Sequence, residues 1–336
     1  MSRPTLKALC LDWHINQSTS CRDLLVNPLK PFCDIELVAW DGASIPDNAF
    51  DGASPLIFWQ LPSPPSLDTK ERARIVWVPM WDQARGYDRS WWDAIPKSVR
   101  VVSFSEQIRV RAEAAGLPVL NLRYFFDPTA FVPVTWERDP VLLYWNRTGM
   151  AGPSLLRKLC KAIGARELIY RSEIDPRIDP RAYYELPERL GKTRVTTITA
   201  SSREEYLDLT RAANVFLAPR AAEGVGLTFL EAMARGSAVF AFDAPTMNEY
   251  IDDGRNGILL SADPIAPRSR LTSRLSRLTD RSVETYARQL ADRQDWASIE
   301  ARDLAALGCC ALADHEKGYL SWRESISSYA NFVCDW

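Results

Sequence analysis

One run of this 336-residue chain constrains its fold more than any other: Glu223-Gly-Val-Gly-Leu-Thr-Phe-Leu-Glu231, continued by Ala-Met-Ala-Arg-Gly236. The residues before it, 214–219, are apolar and closed by a proline, which predicts a short buried strand. After Gly226, the spacing of Leu227, Leu230, Met233 and Ala234 predicts a helix with one apolar face, stopped by Gly236. Strand, glycine turn and helix in that order aim backbone N–H groups and the positive end of a helix dipole at a ligand, which suits a phosphate or diphosphate. Glu223 on the loop and Glu231 near the helix start add carboxylates that accept hydrogen bonds from hydroxyls. Diphosphate and hydroxyls together are the chemistry of a nucleotide sugar.

The pattern continues on both sides, with Ser202-Arg-Glu-Glu-Tyr-Leu207 and Ala212-Ala-Asn-Val-Phe-Leu-Ala-Pro219 ahead of it. Gly236-Ser-Ala-Val-Phe-Ala-Phe-Asp243 and Glu249-Tyr-Ile-Asp-Asp-Gly254-Arg-Asn-Gly257 follow it. This ordered set, over 195–260, resembles the nucleotide-sugar half of the retaining GT-B glycosyltransferases marked by two glutamates seven residues apart, the group 1 or family 4-like glycosyltransferases. The resemblance implies an α/β fold of two Rossmann-like domains facing across a cleft, with C-terminal helices crossing back to the first domain. It assigns Glu231 to the ribose hydroxyls and Glu223 to the donor sugar. Gly224, Val225, Gly226, Leu227 and Thr228 then act mainly through their backbone.

Elsewhere, short apolar stretches alternate with helical patterns to about residue 260, as parallel sheets require. Strands are expected at 6–12, 35–40, 56–60, 75–79, 101–103 and 119–122, then at 141–145, 168–170, 195–199, 215–218, 239–242 and 258–260. Asp127, Phe131 and Pro133 resemble the family's crossing between domains. That places the first, acceptor domain at 1–130, the nucleotide-sugar domain at 138–305 and bracing helices at 306–336.

Forty-one Lys and Arg against 43 Asp and Glu leave a net charge of −2, which gives no general pull toward nucleic acid or membrane. Seven cysteines at irregular spacing and only two histidines point to reduced thiols rather than a zinc site. The N-terminus lacks a long apolar core, and no stretch reaches the length of a membrane span. A cytoplasmic protein is expected, with a possible place at the inner membrane surface: Arg270, Arg274, Arg277 and Arg281 recur at helical spacing and would suit a solvated face or an anionic membrane.

A departing diphosphate can be stabilised without metal by cations and helix N-termini. Arg147, just beyond the strand 141–145, stands at the edge where parallel sheets bind ligands. The family places Gly-Arg there and a lysine a few residues on. Here Asn146 replaces the glycine, and the nearest lysine, Lys158, lies within the next helix. Thr199 and Ser201 are expected to edge the nucleobase pocket. His14 follows the first strand, where the family has a glycine-rich segment, and Asp82 follows the fourth. Both are candidates to orient an acceptor hydroxyl. Trp77, Trp81, Trp91 and Trp92 with Tyr87 suit either a glycan-stacking platform or a core filled by large rings.

The expected activity is a retaining, metal-independent transfer from a UDP- or GDP-linked sugar, with no further cofactor, to a glycan, lipid-linked or small-molecule acceptor. One alternative is transfer to a modified DNA base, against which the neutral charge argues. Another is a non-catalytic sugar-nucleotide or glycan-binding module, suggested by the departures around Arg147 and His14. A dinucleotide oxidoreductase is disfavoured, since no Gly-x-Gly-x-x-Gly follows the first strand.

Overall fold

The computed structural model describes residues 3–16, 19–41, 46, 49, 54–60, 74–147, 151–172, 184–199, 202–220, 222–260 and 294–335. They form two compact units, one of Met1–Tyr124 with Leu320–Trp336, the other of Phe125–Tyr319.

The first unit is built on a wholly parallel sheet: β1 (Thr5–Leu11), β2 (Asp34–Trp40), β3 (Leu56–Trp59), β4 (Ile75–Val78), β5 (Arg100–Ser103) and β6 (Val119–Asn121). Their order is β2-β1-β3-β4-β5-β6, so the chain reverses direction across the sheet at β1. β3 and β4 are apolar at every position and buried throughout, as strands covered on both faces must be. Helix α1 (Asp12–Asn16) follows β1 directly; α2 (Trp81–Ala84), α3 (Arg89–Asp93) and α4 (Glu106–Ala114) follow β4 and β5. Ser105 caps α4 by accepting from the Gln107 N–H at 3.3 Å, and Gly116 ends it at φ +72.

The tryptophans belong to this core. Trp77, Trp81 and Trp92 are buried among Ile108, Ala112 and Val101, and the half-buried Trp91 stacks on Tyr87 at 3.8 Å between centroids. The rings fill the space between sheet and helices, so the stacking platform is not formed by Trp77, Trp81 or Trp92.

In the second unit, β7 (Val141–Asn146), β8 (Glu167–Ser172), β10 (Thr193–Ile198), β11 (Val215–Leu217), β12 (Ala238–Phe242) and β13 (Ile258–Leu260) run parallel. A two-residue strand that the sequence did not predict, β9 (Arg189–Leu190), pairs antiparallel with β10 through a turn at Gly191, φ +68. The order is β13-β12-β11-β7-β8-β10-β9. Helices α5 (Pro153–Ala162), α6 (Arg203–Ala212), α7 (Leu227–Ala234), α8 (Met247–Tyr250), α9 (Trp296–Glu300) and α10 (Leu304–Cys334) complete the described part. α6 opens with a capping box of Ser202 and Glu205, as its sequence Ser-x-x-Glu dictates.

The units divide after Tyr124, earlier than the boundary near 130 expected from sequence. The cause is local: the segment beyond Tyr124 is tied to the turn after α7. Val134 N–H donates to Arg235 O at 2.9 Å, Trp136 Nε1 to Gly236 O at 3.3 Å, and Arg235 Nη1 to Val132 O at 3.2 Å. Likewise α10 changes units at Leu320 rather than at 306. Its first half packs on the second unit, where a Cβ at Gly308 would collide with the Gly236 carbonyl. Its last part packs on the first, where Trp322 meets Tyr124 and Phe104. Among the described residues no helix is long and apolar enough to cross a membrane. The basic run from Arg270 to Arg281 lies outside them.

Candidate functional site

The sheet of the second unit reverses at β7: β8 and β10 are added on one side, then the chain returns to place β11 on the other. In open parallel sheets the crevice at the carboxyl ends of such a strand pair is where ligands bind. Leu217 pairs with Tyr144, so β11 and β7 leave the sheet side by side. One exit leads to Asn146 and Arg147, the other to Arg220 and the Glu223–Gly226 turn.

The turn is held in a conformation only glycine takes easily. Gly226 has φ +79 and caps α7, and a Cβ there would clash with the edge of the Phe229 ring at Cε1. Gly224, Leu227 and Thr228 are half-buried at the helix mouth, while Val225 is turned inward. Glu223 and Glu231 are both buried, at 6% and 3% exposure, so neither is a solvated helix decoration. Arg220 Nη1 lies 3.7 Å from Glu223 Oε2, close enough to steady the carboxylate's charge. Glu223 is also fixed through its backbone, whose carbonyl accepts from Thr246 Oγ1 at 2.9 Å. Helix α7 itself is not amphipathic: Phe229 through Ala234 are all buried, against the single apolar face expected.

On the β7 side, buried Asn146 is one node of a hydroxyl network. Its Nδ2 donates to Tyr170 OH at 2.8 Å, and its Oδ1 accepts from Tyr144 OH at 3.3 Å. Tyr144 OH in turn accepts from the Ala151 N–H at 3.1 Å, and Tyr184 OH donates to the Ala151 carbonyl. Both ends of the loop that carries Arg147 are thereby tied down. Burial pushes the Tyr170 and Tyr184 phenols above their ordinary value, which keeps them protonated. Arg147 is half-buried, its Cζ 4.7 Å from the Trp145 ring centroid. Buried Arg171, from β8, lies 3.9 Å from the same ring and 5.2 Å from that of Tyr206.

The second unit thus carries Arg147 just beyond β7, Glu223, Gly224, Val225 and Gly226 on the turn after the neighbouring β11, and Leu227, Thr228 and Glu231 on α7 behind it. Lys158 is half-buried in the middle of α5. Thr199 is exposed just beyond β10, two strands from β7, and Ser201 lies outside the described residues. In the first unit, His14 sits in α1 rather than a loop and is fully buried, whereas Asp82 is half-buried on the first turn of α2. β3 separates the two strands, β1 and β4, that they follow. Sequence reasoning missed Arg220, Arg171 and Thr246. Arg220 could have been found from its spacing of three from Glu223; the other two are brought in by strand pairing and a distant turn.

Residues 177–277 match the sequence pattern of the family described as Glycosyl transferases group 1. A D-inositol 3-phosphate glycosyltransferase of Corynebacterium urealyticum is 34% identical over 131 residues, 38% of this chain and 31% of the relative. A lipopolysaccharide core biosynthesis mannosyltransferase of Rhizobium meliloti is 35% identical over 85 residues, 24% of each chain. The alignments therefore span about a third or less of those relatives. In fold, the chain is similar to Anabaena HepE, solved with UDP-glucose, at TM-score 0.61 and 12% identity over 97% of this chain and 98% of that one. A glycosyltransferase from Rickettsia africae gives 0.60 at 13% identity over the whole of both chains. The chain has the fold of these GT-B proteins, and its residues 177–277 resemble the group 1 glycosyltransferase family.

Proposed function

We propose that the chain is a glycosyltransferase that takes a sugar from a nucleoside-diphosphate donor held at the β7–β11 crevice and passes it to an acceptor hydroxyl. The observation that carries this reading is that Arg147 and the α7 mouth behind Gly226 follow the neighbouring strands β7 and β11, with two buried glutamates on the turn and helix after β11. Orphan N–H groups and a guanidinium match a diphosphate, and buried carboxylates match hydroxyls that must be held without water.

In the reaction the bond between sugar C1 and the diphosphate oxygen breaks. The negative charge that develops on that oxygen is met by Arg147 and the helix mouth. The acceptor oxygen bonds to C1 from the same face, and its proton passes to the departing phosphate, so configuration is retained and no metal is needed. Glu231 holds the ribose and Glu223 the sugar being moved. His14, buried within its own unit, is set aside; Asp82 is retained as the candidate to orient the acceptor.

The donor carries uracil or guanine. UDP-glucose in the HepE structure supports the first of these. The acceptor is a polyol, glycan or lipid-linked hydroxyl in the cytoplasm or at the inner membrane surface, and duplex DNA is disfavoured by the net charge of −2.

Thermal shift with UDP, GDP and their glucose and mannose conjugates tests the reading, using wild type and Glu231→Ala. A ligand at a hundredfold excess over Kd stabilises the folded state by about 3 kcal/mol. A shift with one nucleotide family that Glu231→Ala abolishes supports the donor site. Slow release of free sugar from that donor, lost in Glu223→Ala, separates an enzyme from a binding module. No shift with any of them overturns the reading.

A further inference from the structure

We propose that Arg171 is the second cation of the donor site, acting with Arg147 on the diphosphate while Trp145 sets the direction of both guanidinium groups. This rests on the donor reading above and names a group that the sequence alone does not offer.

The geometry begins in the sheet. Trp145 and Arg171 are paired across β7 and β8, each the last residue but one of its strand. Both side chains therefore lie on one face, at the edge where the Arg147 loop starts. The guanidinium of Arg171 stacks 3.9 Å from the Trp145 ring centroid, and that of Arg147 lies 4.7 Å from the same ring. Tyr206 of α6 adds a second ring to the cluster, 5.8 Å from Trp145 and 5.2 Å from Arg171. A guanidinium held over aromatic rings by cation–π attraction loses little freedom when it binds. At 7% exposure, its field is screened far less than that of a surface arginine.

The chemistry calls for two cations. A nucleoside diphosphate carries at least two negative charges, and Arg147 neutralises one. No lysine occurs between Arg147 and Lys158, and Lys158 belongs to the middle of α5. Arg171 is 24 positions further along the chain, yet the pairing of β8 with β7 places it against the same indole as Arg147. Its contribution is to the phosphates, so it should matter for UDP and little for uridine.

Titration calorimetry of UDP and uridine against wild type, Arg171→Met and Arg171→Lys tests this, with GDP and guanosine if the donor screen selects guanine. Arg171→Met is expected to weaken UDP binding at least tenfold while changing uridine binding less than twofold. Arg171→Lys should restore part of the loss, keeping the charge without the planar fork. If Arg171→Met does not fold, Arg171→Lys carries the test through a several-fold loss confined to UDP. Equal losses for UDP and uridine would mark Arg171 as a packing residue and overturn the proposal, as would unchanged UDP affinity in Arg171→Met. Absence of nucleotide binding by wild type would instead overturn the donor reading itself, and this inference with it.

Discussion

The two sheets reverse direction in the same way, at β1 in one unit and β7 in the other, but the chain leaves those strands very differently. Beyond β11, the neighbour of β7, it makes a glycine turn, exposes a helix mouth and holds two glutamates and Arg220 within a few residues. Beyond β1 it enters a short helix whose His14 is buried, and beyond neighbouring β3 it reaches Gln60, whose Nε2 donates to Ser20 Oγ at 3.1 Å. Diphosphate recognition through backbone N–H groups demands close approach and positive φ, so it leaves glycines at fixed places. A site held by side-chain contacts can instead be met by many residue types. One end therefore carries a motif and the other does not.

The sharpest test of that contrast is Gly226→Ala. The substitution imposes φ +79 on a residue with a Cβ and drives that atom into Phe229. Left-handed strain and overpacking together should cost about 2–5 kcal/mol, read as a large fall in the urea midpoint. Gly86→Ala in the first unit meets nothing within 4 Å and should change stability by less than about 0.5 kcal/mol. Comparable effects at the two sites would remove the special status of the α7 mouth.

Each unit also buries one histidine. His315, in α10, has Nε2 3.1 Å from the Phe126 carbonyl, to which the neutral ring donates, and Phe125 covers its edge. Burial lowers its pKa from 6.5 to about 4. Below pH 6.5 the unfolded chain takes up a proton that the folded one refuses, so stability falls with pH until about 4. The total is about 3 kcal/mol. His315→Gln removes this titration, and urea midpoints between pH 7 and 4 should then flatten for the second unit. In the first unit, Arg111 Nη1 donates to the carbonyls of Ala84, Arg85 and Tyr87 at 3.1–3.2 Å, and its guanidinium lies 4.7 Å from the Trp81 ring centroid. Arg111→Met should cost about 2 kcal/mol in melting experiments yet leave UDP affinity unchanged. A loss of UDP binding would mean that the first unit shapes the donor site.

Strands such as β3, β4 and β12 were legible because burial on both faces writes continuous apolar runs, and the Glu223–Glu231 segment because its glycines answer to backbone geometry. Sheet order was not, since the pairing of β7 with β11 joins residues about 70 apart and leaves no local periodicity. Arg171 is hidden for the same reason: its neighbour Trp145 is supplied by another strand. His14 misled because position after β1 was visible while the burial of α1 was not. Helix α7 misled because a helix buried on every side shows little amphipathic pattern. The linker beyond Tyr124 reads as a domain crossing, but its hydrogen bonds to Arg235 and Gly236 assign it to the second unit.

Among the described residues, two that are not glycine have positive φ, Gln60 at φ 54 and Thr246 at φ 79. Each stands near the carboxyl edge of its sheet. Gln60 is unbranched at Cβ and tolerates the left-handed region at modest cost. Thr246 is β-branched, and φ 79 with ψ −60 is a genuine outlier for it. Its buried hydroxyl accepts from the Glu249 N–H in a capping box and donates to the Glu223 carbonyl. The strain, about 1–3 kcal/mol, is thus opposed by two buried hydrogen bonds worth about 1 kcal/mol each. Thr246→Gly removes both terms and should leave stability within about 1 kcal/mol of wild type. Thr246→Val keeps the strain and loses the bonds, so it should cost about 2 kcal/mol more. Donor affinity separates packing from positioning: if the hydroxyl holds the Glu223 loop, Thr246→Gly binds the donor several-fold more weakly although it folds as well. Undiminished affinity in that variant would leave Glu223 held by Arg220 and the helix mouth alone.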